Sequence, residues 1–571
     1  MWIKFVFLVL VALAGCNSTK IRLNHSPDGR SNISEVRSHK EVEPTIFFCR
    51  DINISSTEAC SVKRNGDHLL ILGNIATPDG IYKGGDILIS PSGIIQSVGC
   101  NNIDDLKDVS PTIISCPSGI VSPGLINSHD HLTYNQNAPA KWGAERFDHR
   151  HQWREGLDGH QKILANPATN PLFVAWAELR QILAGTTSVA GNGGYKGLLR
   201  NLDMQDLQEG LNEGIVKYQT FPLGDANGDM LLTGCDYPDI VSQTILKNRV
   251  FLPHVAEGIT QAANNEIACL GGQGINGVNL ISNNTALVHA IGATALDGYH
   301  FKQAGSSVVW SPRSNIALYG NTTPVTMYDN QGINIALSTD WTVSGSTTLL
   351  REMKCADYLN KFYFNQHFSD RDLWLMATAN AANALKIGDK IGQLKAGYIA
   401  DIAIFDGSGE VVNPYRQIID ADATKVLLVL RGGMPLFGES EIIESVTRKA
   451  EHCERISGGV CGTKRSVCLR SEIGISFREL EIANKDSYGL IFCDIPPNEP
   501  TCKPFRRNEY TGIVTPNDTD GDGIQNFADN CQNIFNPIIP LDNGKQPDCD
   551  GDGIGDVCDT TPLEDKNHCV K

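Results

Sequence analysis

Short apolar runs separated by turn residues occupy positions 68–99 of this sequence. The runs LLILGNI, DILIS and GIIQSVG are divided by PDG, KGG and PSG, which are typical turn sequences. A similar stretch, IGQLKAGYIADIAIFDG, returns at 391–407. The pattern predicts a composite β-sandwich built from 65–120 and 388–440, with a long insertion between its two parts.

Within the insertion, 121–387, β-like runs alternate with helical patterns. In PLFVAWAELRQIL the apolar residues recur at helical spacing, Gly185 follows where the helix should end, and TTSVAG comes next as a strand. This alternation favours parallel βα units over an all-β fold. Because about 250 residues accommodate eight such units, we expect a TIM-like (β/α)8 barrel and an α/β fold class.

The N-terminal residues predict export. Residues 2–14, WIKFVFLVLVALA, are apolar but too few for a membrane-spanning helix, which needs about 20 residues. The run ends in LAGC, and small residues before a cysteine resemble the lipidation box of bacterial lipoproteins. We expect 1–16 to be a lipoprotein signal peptide, Cys16 to carry the lipid that holds the chain on a bilayer, and 17–64 to be a tether. An ordinary cleaved signal, with Cys16 incidental, is the alternative.

Composition agrees with export and excludes one class of partner. The chain has 571 residues and 17 cysteines, more than a cytosolic enzyme normally keeps, which indicates an oxidising compartment. Five of the cysteines lie in 441–514, which we expect to be a disulfide-rich extension. The net charge of -17 argues against nucleic-acid binding. We therefore predict a membrane-anchored bacterial lipoprotein, on the periplasmic side or at the cell surface.

Four apolar runs each end in a potential metal-binding or proton-transfer group. GIVSPGLIN precedes His129 and His131, RVFLP precedes His254, TALV precedes His289, and INIALST precedes Asp340. Their spacing fits βα repeats of roughly 30 residues and places them at the first, fifth, sixth and eighth strands of a barrel. The carboxyl ends of barrel strands face one mouth, so these groups should converge. Imidazoles with a carboxylate suit one divalent transition metal, with zinc first and iron second.

The motifs PGLINSHDH, HVAEG, ALVHAIG and ALSTDW resemble those of the amidohydrolase superfamily, in the branch of cytosine and guanine deaminases and triazine chlorohydrolases. The resemblance covers 68–435 and implies a metal-dependent hydrolase that cleaves a non-peptide carbon–nitrogen bond of a small molecule. It implies that one metal is bound by His129, His131, His254 and Asp340, that His289 contacts the hydrolytic water, and that Glu257 shuttles protons.

The chemistry of these residues agrees with the hydrolytic function that the resemblance implies. A divalent metal lowers the pKa of water from about 15.7 to about 7 and so supplies hydroxide at neutral pH. Asp340 can take a proton, Glu257 can pass one to a leaving nitrogen, and His289 would stabilise developing charge. Arg313, in SPRSN, is expected to bind an anionic substrate group, although an ordinary ion pair is equally plausible. Lys217 marks the alternative of a binuclear amidase or cyclic-imide hydrolase, in which a carboxylated lysine bridges two metals.

Near the C-terminus, DTDGDGIQNFAD and DCDGDGIGDVCD share carboxylates at positions one, three, five and twelve and glycine at position six. This is the ligand spacing of a loop that wraps calcium. The segments resemble thrombospondin type 3 repeats over 515–562, with an insertion around 538–545, and Cys531, Cys549 and Cys558 should form disulfides there. The expected calcium ligands are Asp518, Asp520, Asp522, Asn526 and Asp529 in the first loop and Asp548, Asp550, Asp552, Asp556 and Asp559 in the second.

A second class of function stays open, a calcium-dependent surface adhesion or scaffold protein built on an inactive barrel. The intact set of potential ligands argues against it. The sequence indicates no particular protein partner for the repeats. Because the repeats are far from the barrel ligands in sequence, we expect the two functions to be separable.

Overall fold

A computed structural model describes residues 44–52, 59–100, 109–408, 413–447, 452–564 and 569. The chain divides into two units, Met1–Val42 and Glu43–Lys571, and every described residue lies in the second. The predicted signal peptide, with Cys16, lies outside the described residues, as does most of the predicted tether. In the part of the chain that the structure describes, no helix is both long and apolar enough to cross a bilayer.

A mixed β-sheet draws its strands from both sides of the insertion. Numbered along the chain, its strands are β1 (Ile46–Phe48), β2 (Ser61–Lys63), β3 (Leu69–Thr77), β4 (Gly80–Ile89), β5 (Ile95–Gly99), β6 (Thr112–Pro123), β15 (Ile402–Asp406), β16 (Val426–Arg431), β17 (Met434–Glu439), β18 (Glu454–Arg455) and β19 (Arg465–Val467). β6 and β15 pair antiparallel, with Val121 opposite Ile404, and buried aliphatic residues from both segments share one core. The two segments predicted to combine, 65–120 and 388–440, are therefore joined in one sheet.

This sheet extends past two of the predicted boundaries. β1 pairs in parallel with β4 and β2 pairs antiparallel with β6, so part of 17–64 is folded and is not tether. β19 pairs with β17, so the extension predicted at 441–514 continues the sheet. Strands of two or three residues are too short to show an alternating pattern, which is why the sequence did not indicate them.

The insertion consists of parallel strands connected by helices and loops. The strands are β7 (Leu125–Asp130), β8 (Thr186–Gly191), β9 (Arg200–Asn201), β10 (Val216–Gln219), β11 (Val250–Val255), β12 (Ala286–His289), β13 (Ser307–Trp310) and β14 (Asn334–Leu337). β7 to β9 form one parallel sheet and β10 to β14 another. Backbone hydrogen bonds link the two sheets at both junctions, from Val216 to Leu202 and from His131 to Asp340. The fold is thus mixed α/β with parallel sheets.

Helices α1 to α13 cover the strands and fill the loops. They are α1 (Arg150–Glu155), α2 (Pro171–Ile182), α3 (Gln261–Leu270), α4 (Ala295–Ala304), α5 (Pro312–Tyr319), α6 (Val325–Asn330), α7 (Leu349–Tyr363), α8 (Asp370–Met376), α9 (Ala379–Ala384), α10 (Pro414–Ile419), α11 (Ser440–Val446), α12 (Leu469–Glu472) and α13 (Phe477–Ala483). At α2, the Asn170 side chain accepts the amide hydrogen of Leu172, and Pro171 occupies the first turn. Gly185 then turns into β8 with a φ of 86°. The helix and strand predicted there are confirmed.

Disulfides fasten the extension and the repeats. Among the described residues, the pairs are Cys49–Cys100, Cys60–Cys116, Cys235–Cys269, Cys355–Cys502, Cys453–Cys468, Cys461–Cys493, Cys531–Cys558 and Cys549–Cys569. Cys355 of α7 is thereby joined to the extension, and the two pairs near the C-terminus close the calcium-type loops. These eight pairs include all sixteen cysteines that the structure describes.

The repeats do not stand apart from the parallel strands and their helices. The amide of Phe535 donates to the carbonyl of Tyr363 on α7 at 2.8 Å, and the side chain of Asn330 donates to the carbonyl of Asp559 at 2.8 Å. The repeats are therefore close in space to the helices of the parallel-strand region, although they are distant from them in sequence. This corrects the premise on which the two functions were expected to be separable.

Candidate metal centre and active site

Four of the predicted ligands meet at the carboxyl ends of the strands. Nε2 of His129 and Nε2 of His131 lie 3.4 Å and 3.3 Å from Oδ1 of Asp340. One ligand atom from each of these residues and from His254 lies within 4.8 Å of all the others. Asp130, between the two histidines, ends β7, and its carboxylate accepts hydrogen bonds from Asn135 and Thr339 and does not join the cluster. The structure thus brings the four predicted ligands together.

Neighbouring groups fix the orientation of three of these ligands. Nδ1 of His254 donates to the carbonyl of Gln219 at 3.3 Å, which leaves Nε2 with a free lone pair. Nδ1 of His131 is hydrogen-bonded to the Tyr218 hydroxyl at 3.2 Å, and Ser314 donates to Oδ2 of Asp340 at 2.6 Å. Outer partners of this kind set the tautomer and direction of a metal ligand.

The charges of the cluster also suit a cation. Burial lowers the pKa of His129 to about 4 and that of His254 well below its ordinary value, so both imidazoles are neutral. Burial alone would raise the pKa of Asp340, but the imidazoles of His129 and His131 beside its carboxylate hold it well below the usual range. Nε2 of His129 and Nε2 of His254 are buried without a hydrogen-bond partner. Neutral imidazoles, one carboxylate and orphaned buried nitrogens fit a divalent metal.

Two residues of the site hold unusual backbone conformations. His289 has a φ of 69° and Asp340 a φ of 63°, in the left-handed region that costs a non-glycine residue roughly 1–3 kcal/mol. Asp340 is held there by the end of β7 and the residue after it, because its amide donates to the carbonyl of His129 and its carbonyl accepts from the amide of His131. Strain held in this way is common where side chains are aimed at a ligand.

Glu257 and His289 lie beside the ligand cluster. Nε2 of His289 is 3.7 Å from Oε2 of Glu257, and Asn315 is hydrogen-bonded to Nδ1 of His289 at 3.2 Å. Because the amide of Asn315 donates to Nδ1, the proton of the neutral ring is on Nε2. Tyr319 donates its hydroxyl hydrogen to Oε1 of Glu257 at 2.8 Å. Burial raises the pKa of Glu257 to about 7, the range in which a carboxyl group can both accept and release a proton.

These groups line a cavity of about 300 Å³. Its wall is partly aromatic, with the Trp341 ring centroid 5.7 Å from that of Trp153 and 5.9 Å from that of Tyr134. The guanidinium groups of Arg150 and Arg154 also line it. Such a cavity can accept a flat, polar heterocycle against the aromatic side.

Arg313 is not part of this cavity, so the expectation that it binds an anionic substrate group is corrected. Its guanidinium is buried and bonded to Ser346 and to the carbonyl of Pro500, with Glu499 at 3.4 Å. The two residues that follow Arg313 in the SPRSN motif contact the site instead. Ser314 is hydrogen-bonded to Asp340, and Asn315 is hydrogen-bonded to His289. Arg313 is the second residue of α5 and lies on a different face of the helix from Ser314 and Asn315, because successive residues turn by about 100°.

Lys217 also lies apart from the cluster. It is exposed on β10, and the next residue, Tyr218, is the one that reaches His131. Alternation along the strand therefore directs Lys217 away from the metal ligands. The structure gives no support to the binuclear alternative that a bridging lysine would require.

Sequence reasoning missed a buried network beside the cavity. Arg150 forms ion pairs with Asp225 and, at 3.2 Å, with Glu266, while His151 lies 2.9 Å from Asp225. His151, Asp225 and Glu266 have the ligand spacing of a metal site, but Arg150 already lies between the two carboxylates and compensates their charge. The segment that carries Arg150 has no periodicity and follows no strand, so no pattern marked it.

The predicted calcium ligands form two matching loops. Asp518 and Asp548, at position one, each accept two amide hydrogens from glycines of their own loop. Position five, Asp522 or Asp552, accepts the amide hydrogen two residues further on in each loop. Position nine, occupied by Asn526 or Asp556, accepts the amide hydrogen of the residue that follows position one.

Several oxygens of these loops lack a partner. One carboxylate oxygen of Asp520, of Asp529 and of Asp559 is buried without a hydrogen bond. Burial, together with neighbouring carboxylates, raises the pKa of Asp520 to about 9 and that of Asp522 to about 7. Oxygen-only ligands with orphaned carboxylates fit a hard cation such as calcium.

Comparisons with known proteins agree with this geometry. The amidohydrolase family model matches residues 275–435, and the thrombospondin type 3 repeat model matches 516–538. The 5-methylthioadenosine/S-adenosylhomocysteine deaminase of Thermococcus kodakarensis is 24% identical over 368 residues, which cover 58% of this chain and 84% of that protein. The 5'-deoxyadenosine deaminase of Methanopyrus kandleri is 24% identical over 429 residues, 67% of this chain and 98% of its own.

A solved structure shares the fold. Triazine hydrolase from Arthobacter aurescens superposes with a TM-score of 0.50 at 21% identity, covering 65% of this chain and 95% of its own. The ligand cluster and these likenesses together support a metal-dependent hydrolase that acts on carbon–nitrogen bonds. The chain is thus similar to the amidohydrolase family over 275–435 and to the thrombospondin type 3 repeat over 516–538.

Proposed function

We propose that this protein is a deaminase that hydrolyses the exocyclic amino group of a purine-like heterocycle and releases ammonia. The observation that carries the proposal is the position of Glu257, in one cavity with the ligand cluster and 3.7 Å from His289. The names of the two relatives, both adenosine-type deaminases, support a purine nucleoside as the first substrate to examine.

Each group has a task in this reaction. A divalent metal at the cluster would supply the nucleophile by lowering the pKa of water. Asp340 accepts, at its carboxylate, the proton that this water loses. Glu257, near neutrality in its pKa, passes a proton to the leaving nitrogen. His289 donates its Nε2 hydrogen to the charge that develops, and the aromatic wall orients the ring.

We further propose that the cluster holds one ion, with zinc preferred over iron, and that the two parallel sheets form a closed (β/α)8 barrel. The ligand types support zinc, since imidazole and carboxylate are its usual protein ligands. The hydrogen bonds at both junctions of the sheets support closure. The match to the thrombospondin type 3 repeat model supports calcium in the C-terminal loops.

Export belongs to the same proposal. Eight disulfides among the described residues support an oxidising compartment. We propose a lipid anchor at Cys16 on this support and on the apolar run before it. Mass spectrometry of the mature N-terminus would detect the lipid, and an unmodified or differently cleaved terminus would remove this part of the proposal.

Replacement of Glu257 tests the catalytic assignment. The Glu257→Gln variant should keep its metal and lose turnover by about 10²- to 10⁴-fold, the usual contribution of a general acid or base. The substrate comes from a panel of purine nucleosides, free purines and pyrimidines, with ammonia release as the measurement. Glu213→Gln is the matched control, because Glu213 pairs with Arg249 and does not line the cavity. A Glu257→Gln enzyme as active as Glu213→Gln would exclude the assigned role.

A further inference from the structure

The C-terminal extension contacts the active site through Arg506. One nitrogen of its guanidinium, Nη1, donates to the carbonyl of Tyr319 at 2.9 Å and to that of Phe147 at 3.1 Å. The other, Nη2, lies 2.5 Å from a carboxylate oxygen of Asp148. Arg506 is buried, so these bonds are shielded from water. A single side chain of the extension thus binds two separate segments of the barrel region.

The insertion in the repeats contacts the same region. The amide of Leu541 donates to the carbonyl of Ile259 at 3.1 Å. Ile539 packs on a small apolar cluster that includes Ile259 and Tyr319. Both residues belong to the segment 538–545, which interrupts the repeat pattern. We call Arg506, Ile539 and Leu541 the clamp.

The segments held by the clamp are those that carry Glu257 and Tyr319. The amide of Ile259 donates to the carbonyl of Asp148 at 2.8 Å, and the amide of Arg150 donates to the carbonyl of Glu257 at 3.0 Å. The strand segment after β11 and the segment before α1 are therefore paired, and Arg506 binds the second of them directly.

The end of α5 shows how closely the extension approaches. Gly320 follows Tyr319 with a φ of 69°, and a Cβ atom there would lie 2.3 Å from the carbonyl oxygen of Phe505. Only glycine fits at this point of contact. The backbone of the extension therefore touches the residue next to the one that binds Glu257.

Tyr319 connects the clamp to the proton-transfer group. Its ring is fully buried, its hydroxyl donates to Glu257, and it accepts the indole hydrogen of Trp153 at 2.9 Å. With Trp153 as donor and Glu257 as acceptor, the hydroxyl has one orientation available. Its position then depends on the backbone of Tyr319, to which Arg506 is bonded.

We infer that Tyr319 and Arg506 are positioning residues for Glu257, and that the C-terminal extension is consequently a structural part of the active site. This inference rests on the proposed catalytic role of Glu257. Tyr319 fixes the direction of the carboxylate, and Arg506 fixes Tyr319 together with the segment that pairs with 257–259.

The first calcium-type loop contacts the turn that carries Arg506 of the clamp. Arg506 and Tyr510 are bridged by a hydrogen bond of 3.0 Å from the amide of Arg506 to the carbonyl of Tyr510. A Cβ atom on Gly523, inside the loop, would lie 2.8 Å from the carbonyl oxygen of Glu509. The loop therefore packs on the turn that presents Arg506, so an ion that orders the loop would also order this turn.

Hydrogen–deuterium exchange of the full-length, metal-loaded chain tests the inference without a substrate. In Arg506→Met, amides of 146–152 and 256–260 should exchange about tenfold faster than in the unmodified chain, since about 1.4 kcal/mol of local stability corresponds to tenfold. Arg351→Met is the matched control, because Arg351 also joins the barrel region to the extension, through Glu499, but lines no part of the cavity. Unchanged exchange in Arg506→Met, or equal acceleration in both variants, overturns the inference.

Kinetics with the substrate from the panel supply the second readout. Tyr319→Phe, which keeps the ring, should retain its metal and lower kcat about 10- to 100-fold with little change in KM, as a misplaced catalytic group does. Arg506→Met should slow the Tyr319→Phe variant by a smaller factor than it slows the unmodified enzyme, because Arg506 acts in part through Tyr319. Additive losses, or an unchanged kcat in Tyr319→Phe, would overturn the inference. If Glu257→Gln is itself fully active, the proposed function fails, whereas the exchange experiment still decides whether the clamp orders these segments.

Discussion

The two metal-type sites of this chain hold their ligands in opposite ways. Among the parallel strands, three of the four ligands are held by groups from other elements: His131 by Tyr218, His254 by a backbone carbonyl of β10, and Asp340 by Ser314. In the C-terminal loops, a ligand such as Asp518 accepts hydrogen bonds from amides of its own loop. The first site is therefore arranged by tertiary structure, and the second by a short stretch of chain.

The two sites also differ in the charges of their ligands. The barrel cluster combines neutral imidazoles with one carboxylate, so its ligands do not repel one another strongly. The first loop brings Asp518, Asp520, Asp522 and Asp529 together, and the pKa of Asp520 is raised to about 9. Like charges at this spacing repel unless an ion or a proton neutralises them. We therefore predict that the transition-metal centre stays folded without its ion, whereas the C-terminal loops lose their order without one.

Removal of one barrel ligand should have the largest effect. His254→Ala should lose the transition metal and all measurable turnover, because the ion would keep too few protein ligands. Calcium content should stay unchanged. Metal analysis of the purified chain is the measurement, and His300→Ala, an exposed position on α4, is the control. A His254→Ala chain that retains its full transition-metal content would exclude His254 as a ligand.

Selective removal of calcium should have the next largest effect. A calcium-specific chelator should make 515–562 sensitive to protease, although Cys531–Cys558 and Cys549–Cys569 keep the fragments linked. Because the first loop supports the clamp, activity should fall about tenfold while the transition metal stays bound. The readouts are proteolysis, ammonia release and metal content, each with and without added calcium.

Two results would contradict this difference between the sites. Equal protease resistance in both conditions would mean that the loops are ordered without an ion. A tail that becomes protease-sensitive while activity is unchanged would mean that the clamp does not depend on calcium. Full recovery of activity on adding calcium back, but not magnesium, would support both steps.

The part of the site built on strand ends was predictable from the sequence. His129, His254, His289 and Asp340 each follow an apolar run, and parallel strands place their carboxyl ends at one edge. The spacing placed them on the first, fifth, sixth and eighth parallel strands, which are β7, β11, β12 and β14. The calcium-type loops were equally predictable, because all the candidate ligands of each loop lie within twelve consecutive residues.

Contacts between distant segments were not predictable. Tyr319, Trp153 and Arg506 are ordinary residues in their local sequence, and their roles arise only where the extension meets the barrel region. The insertion at 538–545 was visible only as a departure from the repeat pattern. Arg313 was singled out because a charge follows a strand, but the helix that begins at Pro312 turns it away from the cavity.

Lys217 provides the smallest expected effect and the sharpest check on the number of metals. Lys217→Ala should leave turnover and metal content unchanged and alter the free energy of unfolding by about 0.5 kcal/mol or less, as exposed substitutions do. Tyr218→Phe, one residue along the same strand, removes the hydroxyl bonded to His131 and should weaken metal affinity about 10- to 100-fold. Titration with a competing chelator measures both variants, and elemental analysis should find one transition-metal ion per chain. Two ions per chain, one of which is lost in Lys217→Ala, would support a lysine that bridges two metals. That result would contradict the orientation of Lys217, away from the metal ligands, that we infer from the alternation of side chains along β10.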